Sequence, residues 1–511
     1  MLGSSITDVV WSGRYLWVST ERGLARLDRS RGEGFEAGDW VTFTEENGLG
    51  RGAVSALAAH GDTVWAATLF DSLTVGNRSR QVGSGISWST DAGARWQRIP
   101  NEALFDTLRP EFEDGPWSPV ENACFGLAVE GDTVWATFFA GSAVRSTDFG
   151  RTWERVLPGG ADRIVYNNKT ERIRVDSLER AGAAEDVIAR AQTEADSVDA
   201  LSYLHRTFSV AAYGDTVWIG TALGVASSFD FGRTWTVHRS RRDESGQALP
   251  GHLSAHWGLA VERQIRPDGR SVVWVGTDVT DDPPGQVRAI HRTEDDGATW
   301  ISLGPTFAWD FAFAADSVWA GTEEGLLLSP DHGESWVEVR VQDILNQDLL
   351  RAPFIGVERF SLPDGRVALW AGADNGLGRS LDGGETWTIL SFPVRVRAID
   401  SGRMIEGEGL VDARGAKTYA APSPFAPSRG QRCVVVYSLA EADEVSVDIF
   451  DFSSRKVRTL VDGESRPGGR HHREPWDGLD DGGGQVANGV YFFRVETASG
   501  SRAFGNVVVL D

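Results

Sequence analysis

The stretch STDFGRTW, residues 146–153, decides how this chain folds, because five variants of it stand elsewhere in the sequence. They read STDAGARW (89–96), SFDFGRTW (228–235), TEDDGATW (293–300), SPDHGESW (329–336) and SLDGGETW (380–387). Self-similarity at spacings of tens of residues marks a repeat architecture. The third position is always Asp: Asp91, Asp148, Asp230, Asp295, Asp331 and Asp382. The fifth is always Gly: Gly93, Gly150, Gly232, Gly297, Gly333 and Gly384. An Asp carboxylate closes a tight turn by accepting backbone N–H bonds two residues ahead. Gly supplies the positive φ of such a turn without a Cβ clash. The eighth position is always Trp: Trp96, Trp153, Trp235, Trp300, Trp336 and Trp387. Burying that ring removes roughly 150–250 Å² from water, worth a few kcal/mol at about 25 cal/mol per Å². Each copy is expected to be a self-bracing hairpin turn pinned by its Trp.

A second motif is a short strand with a central Trp, at Trp17, Trp65, Trp135, Trp218, Trp274, Trp319 and Trp370. Four copies follow a tight turn such as Gly61-Asp62-Thr63, and an apolar run stands before each. One repeat is thus apolar run, tight turn, Trp strand, loop, short strand, Asp-Gly turn, closing strand. That is a four-stranded antiparallel meander. Seven Trp strands predict seven meanders, and such sheets repeated about a channel make a β-propeller. The six units resemble Asp-box (BNR) repeats, found in sialidases, sortilin-type receptors, some xyloglucan hydrolases and photosystem assembly factors. The resemblance spans about residues 5–400 and implies the propeller fold, not one function. Blade one lacks the Asp-box, and its second hairpin resembles the propeller repeats of two-component sensor ectodomains.

The formal charge of −23 opposes binding to nucleic acid or to an anionic membrane surface. No apolar stretch approaches 18 residues, the length that would span a membrane. The two cysteines, Cys124 and Cys433, fall in different domains and build neither a disulfide framework nor a zinc site. No cofactor and no metal are expected. The first residues run straight into a strand and show no signal peptide.

Composition changes over 401–421, read as a linker between a propeller at 1–400 and a C-terminal domain at 422–511. Strands of period two follow, separated by turns, which predicts a small β-sandwich. This part resembles the immunoglobulin-like domain of flagellar hook-capping proteins and the sorting domains that end many secreted proteins of Bacteroidetes-like bacteria. The matching positions are Pro424-Phe425, Asp448 to Asp451, Trp476-Asp477-Gly478 and Gly489-Val490-Tyr491. The resemblance implies export or surface attachment. Asp477, Asp480 and Asp481 read as turn formers, with a Ca²⁺ site as the alternative.

Chain order puts the tight turns and Asp-box turns on one face, the bottom. Nearly all long insertions (69–85, 99–120, 156–206, 238–254 and 278–288) then lie on the top. Long loops on a rigid scaffold concentrate function. The segment 177–206 has apolar residues, among them Val187, Ile188, Ala191 and Ala195, at three- and four-residue steps, which predicts one or two helices there. Trp117, Trp257 and Trp309 precede or begin innermost strands, where their faces overlook the channel mouth. With Glu121, Asn122, His252, His256, Asp278, Asp310 and Arg351 they form the candidate ligand site. No catalytic residue is assigned. A glycosidase would need paired carboxylates across the bond, for which Asp310 with Asp278 or Glu121 is the candidate. Sialidase chemistry is disfavoured, since the Arg-Ile-Pro segment is missing from its N-terminal place. The expected function is a non-enzymatic, extracytoplasmic bacterial protein binding a polysaccharide or protein at the top face. Its C-terminal domain would engage secretion or anchoring machinery. The alternative is a glycoside hydrolase or polysaccharide lyase at the same mouth.

Overall fold

Each Trp strand is a run of β-branched and small residues buried on both faces, as a strand packed between two neighbouring sheets must be. The computed structural model describes residues 5–510 apart from 29–39, 74–78, 108–121, 140, 160–168, 244–248, 281–284, 305, 344–348, 363–364, 391–396, 401–402, 407–417, 422–424, 430, 440, 452–454, 469 and 501. Contacts divide the chain into two units, 1–390 and 391–511.

The first unit is a seven-bladed β-propeller. Seven four-stranded antiparallel sheets follow one another, each with its strands in chain order. The innermost strands are Ile6–Trp11, Ala53–His60, Cys124–Glu130, Thr207–Tyr213, Trp257–Ile265, Ala308–Ala314 and Phe354–Ser361. Each packs against the next, and Phe354–Ser361 packs against Ile6–Trp11, so the ring closes. Blade one takes all four strands from the start of the chain and blade seven all four from 354–390, so no strand is exchanged. Arg397–Asp400 pairs with Arg403–Glu406.

The repeated units are hairpin turns, with two corrections to the expected geometry. The Asp carboxylate reaches four residues ahead, not two. Asp148 Oδ1 accepts the Thr152 N–H at 2.8 Å, and its Oδ2 accepts the Thr152 hydroxyl at 2.6 Å. The same pair of bonds forms at Asp230, Asp295, Asp331 and Asp382. Asp91 makes the backbone bond to Arg95. The Ser or Thr opening each unit accepts the Gly N–H, at 2.8 Å for Ser146 and Gly150. Two successive residues have positive φ, such as Phe149 (59°) and Gly150 (79°), so the turn folds back tightly enough to place the carboxylate over residue four. The second correction concerns the pins. Among the closing tryptophans only Trp300 and Trp387 are buried, while Trp96, Trp153, Trp235 and Trp336 are half-buried at the blade's outer edge. The seven strand tryptophans carry the burial, each 5% exposed or less. Each turn sits on the preceding blade, as Trp65 does against Phe149 and Trp153.

The turns share the bottom face with the tight turns: the Phe149 N–H donates to the Asp132 carbonyl, and Phe231 and His332 repeat this. The described parts of these insertions therefore emerge on top. Residues 69–85 are not a loop: Thr63–Leu73 and Ser79–Ser89 continue as a projecting ribbon. The helical insertion begins at Lys169, earlier than expected, as Lys169–Arg180 and Glu185–Leu204. Val175, Ala191, Ala195 and Leu178 close between the helices. Val187 is exposed, against expectation, because the two-helix arrangement turns it outward.

The second unit pairs a sheet of Tyr419–Ala421, Cys433–Leu439 and Arg470–Trp476 with a four-stranded sheet that includes Asp443–Phe450 and Gly489–Thr497. They share one core, an immunoglobulin-like sandwich. Trp476 lies between Phe425 and Tyr491, ring centroids 5.5 and 5.4 Å away. Asp477 and Asp480 accept the Leu479 and Gly484 N–H groups, and Asp481 accepts that of Thr459, so all three brace backbone.

Candidate functional site: the channel mouth

All seven innermost strands carry a β-bulge at the same level. In each, one residue is skipped in the pairing with the Trp strand. A bulge leaves an extra residue unpaired and re-aims its side chain. The skipped residues are Thr7 and Ser55 in blades one and two, then Phe125, Phe208, Leu259, Trp309 and Ile355 in blades three to seven. All seven line a cavity of about 830 Å³ in the channel. The next residue inward is small in five blades (Ala56, Gly126, Ser209, Ala260, Gly356), which keeps the lumen open. In the other two it is acidic: Asp8 and Asp310.

The mouth is two-sided. Phe125, Phe139, Phe208 and Trp257 form a chain of ring contacts, with Phe208 5.7 Å from Trp257 and 6.0 Å from Phe139. Trp309 continues the arc onto blade six, edge-on to buried Phe307 and 38% exposed, so its face is open. Deeper, the wall of blades five, six, seven and one carries four carboxylates. Glu262 and Glu358 stand opposite the buried Trp274 and Trp370; Asp8 and Asp310 stand opposite Ser19 and Gly321, two residues nearer the top. At about 3.4 Å per residue this sets two levels about 7 Å apart.

Asp8, Glu262 and Asp310 line the cavity and all four carboxylates are half-buried, so the surrounding wall withdraws them from bulk water. That desolvation pushes Asp8 up to about 7, Glu262 to about 8 and Glu358 to about 7, and raises Asp310 well above the carboxylate range. Mutual repulsion adds to it at Glu262, Asp310 and Glu358. Two of the four also tie blades together. Asp310 Oδ2 accepts the Val357 N–H of blade seven at 2.7 Å, and Glu358 Oε2 accepts the Trp11 N–H of blade one at 2.8 Å. Those amides lie on the free edge of innermost strands, where no further strand satisfies them.

Of the residues singled out from sequence, Trp257, Trp309 and Asp310 meet in this cavity. Trp117 and Glu121 lie outside the described residues. Asn122 is buried, its carbonyl accepting from Asn101 Nδ2 at 3.1 Å. His256 is buried with its N–H on Gln286 Oε1, and His252 is half-buried in the same segment. Asp278 faces Arg288 at 3.4 Å, and Arg351 is exposed with its N–H on Asn375 Oδ1. None of these five lines the cavity. The carboxylates that act on Asp310 are Asp8 and Glu262, not Asp278. Sequence reading missed Asp8, Glu262, Glu358 and the bulge ring. Aligning the seven repeats on their central Trp would have exposed two glutamates among alanines and a valine: Val10, Ala58, Ala128, Ala211, Glu262, Ala312 and Glu358.

Residues 428–501 match the family model of the FlgD Ig-like domain, so the second unit carries such a domain. No curated protein matches the chain. Among solved structures, the chain is similar to the extracellular domain of BT4673 from B. thetaiotaomicron at 12% identity and TM-score 0.42, covering 99% of this chain and 57% of that one. It is also similar to a GH74 enzyme of Niastella koreensis at 12% identity and TM-score 0.47, covering 86% and 58%. A third is PorZ, a surface component of the type-IX secretion system of Porphyromonas gingivalis, at 13% identity and TM-score 0.36, covering 99% and 70%. The chain thus spans less than two thirds of the first two. Among the described residues no helix is long and apolar enough to cross a membrane.

Proposed function

We propose that this chain is a non-enzymatic, extracytoplasmic bacterial binding protein. Its propeller takes a protruding part of a polysaccharide or protein into the top mouth of the channel. The observation that carries this reading is the ring of seven aligned bulges, which turns one extra side chain per blade into a cavity of about 830 Å³. A cavity with an aromatic wall and a few polar groups has the anatomy of a ligand site. The FlgD Ig-like domain supports the assignment of the second unit to export or surface attachment. Glycan and peptide arrays probed with the full chain test the reading. Binding that falls at least about tenfold in Trp309→Ala supports it; arrays on which the intact chain binds nothing refute it.

A second reading, glycoside hydrolysis or polysaccharide lysis at the same mouth, is favoured by one observation. Asp310 stands beside Trp309 with its proton affinity raised, as a general acid requires. Against it, both Asp310 oxygens accept backbone N–H groups, from Phe311 and Val357. Reducing-sugar release abolished by Asp310→Asn would establish this second reading; binding without turnover would dismiss it.

A further inference from the structure

The cavity asks for a particular ligand chemistry. Its rim is aromatic, and Asp8, Glu262 and Asp310 line its floor with Glu358 acting on Glu262 from beside it; among the described residues none of the four is ion-paired. Each is affected by desolvation, by backbone N–H groups or by another carboxylate, and among the described residues by no cation. At the same two levels, blades two, three and four present Ala56 and Ala58, Gly126 and Ala128, and Ser209 and Ala211, none of which titrates. Asp310 and Glu358 have a structural duty toward the next blade, whereas no bond from Glu262 to another blade is found among the described residues. A neutral sugar ring stacked on the rim would leave this floor without a counter-charge.

We propose that the channel receives the side chain of a lysine or arginine projecting from a loop or terminus of a protein partner. Its aliphatic stem would lie along Phe208, Trp257 and Trp309, and its cationic tip would reach Glu262 and Asp310. This rests on the binding reading above and chooses its protein branch. A cation near an aromatic face gains from the ring quadrupole, and a desolvated carboxylate gains most from a charge-assisted hydrogen bond. Neutralising the floor also removes the repulsion among its carboxylates, so the cation is bound with release of protons. Binding therefore strengthens as pH rises through the range where the floor ionises.

Saturation-transfer NMR with pentapeptides Gly-Gly-X-Gly-Gly reads millimolar binding to the full chain. With X as Lys or Arg, contact is expected; with norleucine or citrulline, which keep the stem and lose the charge, it falls at least about tenfold. Glu262→Gln abolishes that preference while melting as the parent does or higher, and the lysine peptide binds more tightly at pH 8 than at pH 6. Equal binding of lysine and norleucine peptides overturns the proposal, as does a lysine preference indifferent to Glu262→Gln. Glycan arrays run alongside separate the two levels of inference. Glycan binding lost in Trp309→Ala but untouched by Glu262→Gln, with no lysine preference, keeps the mouth as a binding site and overturns the cationic ligand. Neither glycan nor peptide binding overturns both.

Discussion

Two classes of carboxylate in this chain are tuned in opposite directions, and the signs follow from their surroundings. The turn aspartates accept hydroxyl and N–H donors, which hold Asp148, Asp230 and Asp382 near 2. Their contribution to stability is present above the unfolded value of about 4 and is lost as pH falls toward 2. In the channel Asp8, Glu262 and Glu358 sit at about 7 to 8 instead and Asp310 is raised as well, so the folded state holds protons that the unfolded chain releases. Their effect is to weaken the fold as pH rises from about 4 through 8. The propeller is therefore expected to melt at a higher temperature at pH 5 than at pH 8, and Glu262→Gln should narrow that gap in a calorimetric pH series. Gly150 is a sharper case. Its φ is 79°, and a Cβ there would meet Trp65 Cη2 at 2.6 Å. Gly150→Ala should cost about 1–3 kcal/mol in urea denaturation, less than the about 3–5 kcal/mol expected for Trp135→Ala in the core.

At the level of elements, repetition made the blades legible. The Trp strands and Asp-Gly turns announce themselves because one local structure is written many times over, and six copies fix the meander better than any single propensity. The Asp reach of four residues was hidden, since it depends on two successive positive-φ residues, one of them Phe149 or His332 and not Gly. The bulge ring was hidden for a different reason. A bulge is a property of register between two strands, and Phe208 reads in sequence as one more member of an apolar run. Trp257, Trp309 and Asp310 were found because a large ring or a charge at a strand entrance stands out; Glu262 and Glu358, in mid-strand, did not. The helical hairpin was legible in type but not in extent. Its described apolar cluster closes between its own helices, so replacing 169–200 with a short linker should leave the melting temperature within about 2 °C. A larger drop in calorimetry would mean that the hairpin supports blade four.

For the whole molecule, the question is how a wheel without an exchanged strand stays shut. Among the described residues, blades one and seven meet without any strand-to-strand pairing. Trp11 stacks on Phe360 with centroids 3.8 Å apart and planes 3° from parallel, and Trp40 sets its edge against Trp370 at 6.3 Å. Glu358 takes the Trp11 N–H, and Ser5 donates to Asp374. This approach is so close that a Cβ on Gly356 would lie 2.9 Å from the Val9 nitrogen. Sequence repetition predicted seven blades but was silent on this seam, because its contacts join residues some 350 positions apart that share no motif. In a repeat protein, stability is a sum of nearest-neighbour terms, and the interface joining the two ends of the chain is the one that a linear array would lack. Gly356→Val should therefore open the wheel before it unfolds the blades. Limited proteolysis would then release blade one first, while a mid-ring change of similar cost, Val217→Ala, would not alter the first cut. Identical fragments from the two variants would show that closure is shared evenly around the ring, and that the seam between first and last blades is no weaker than any other.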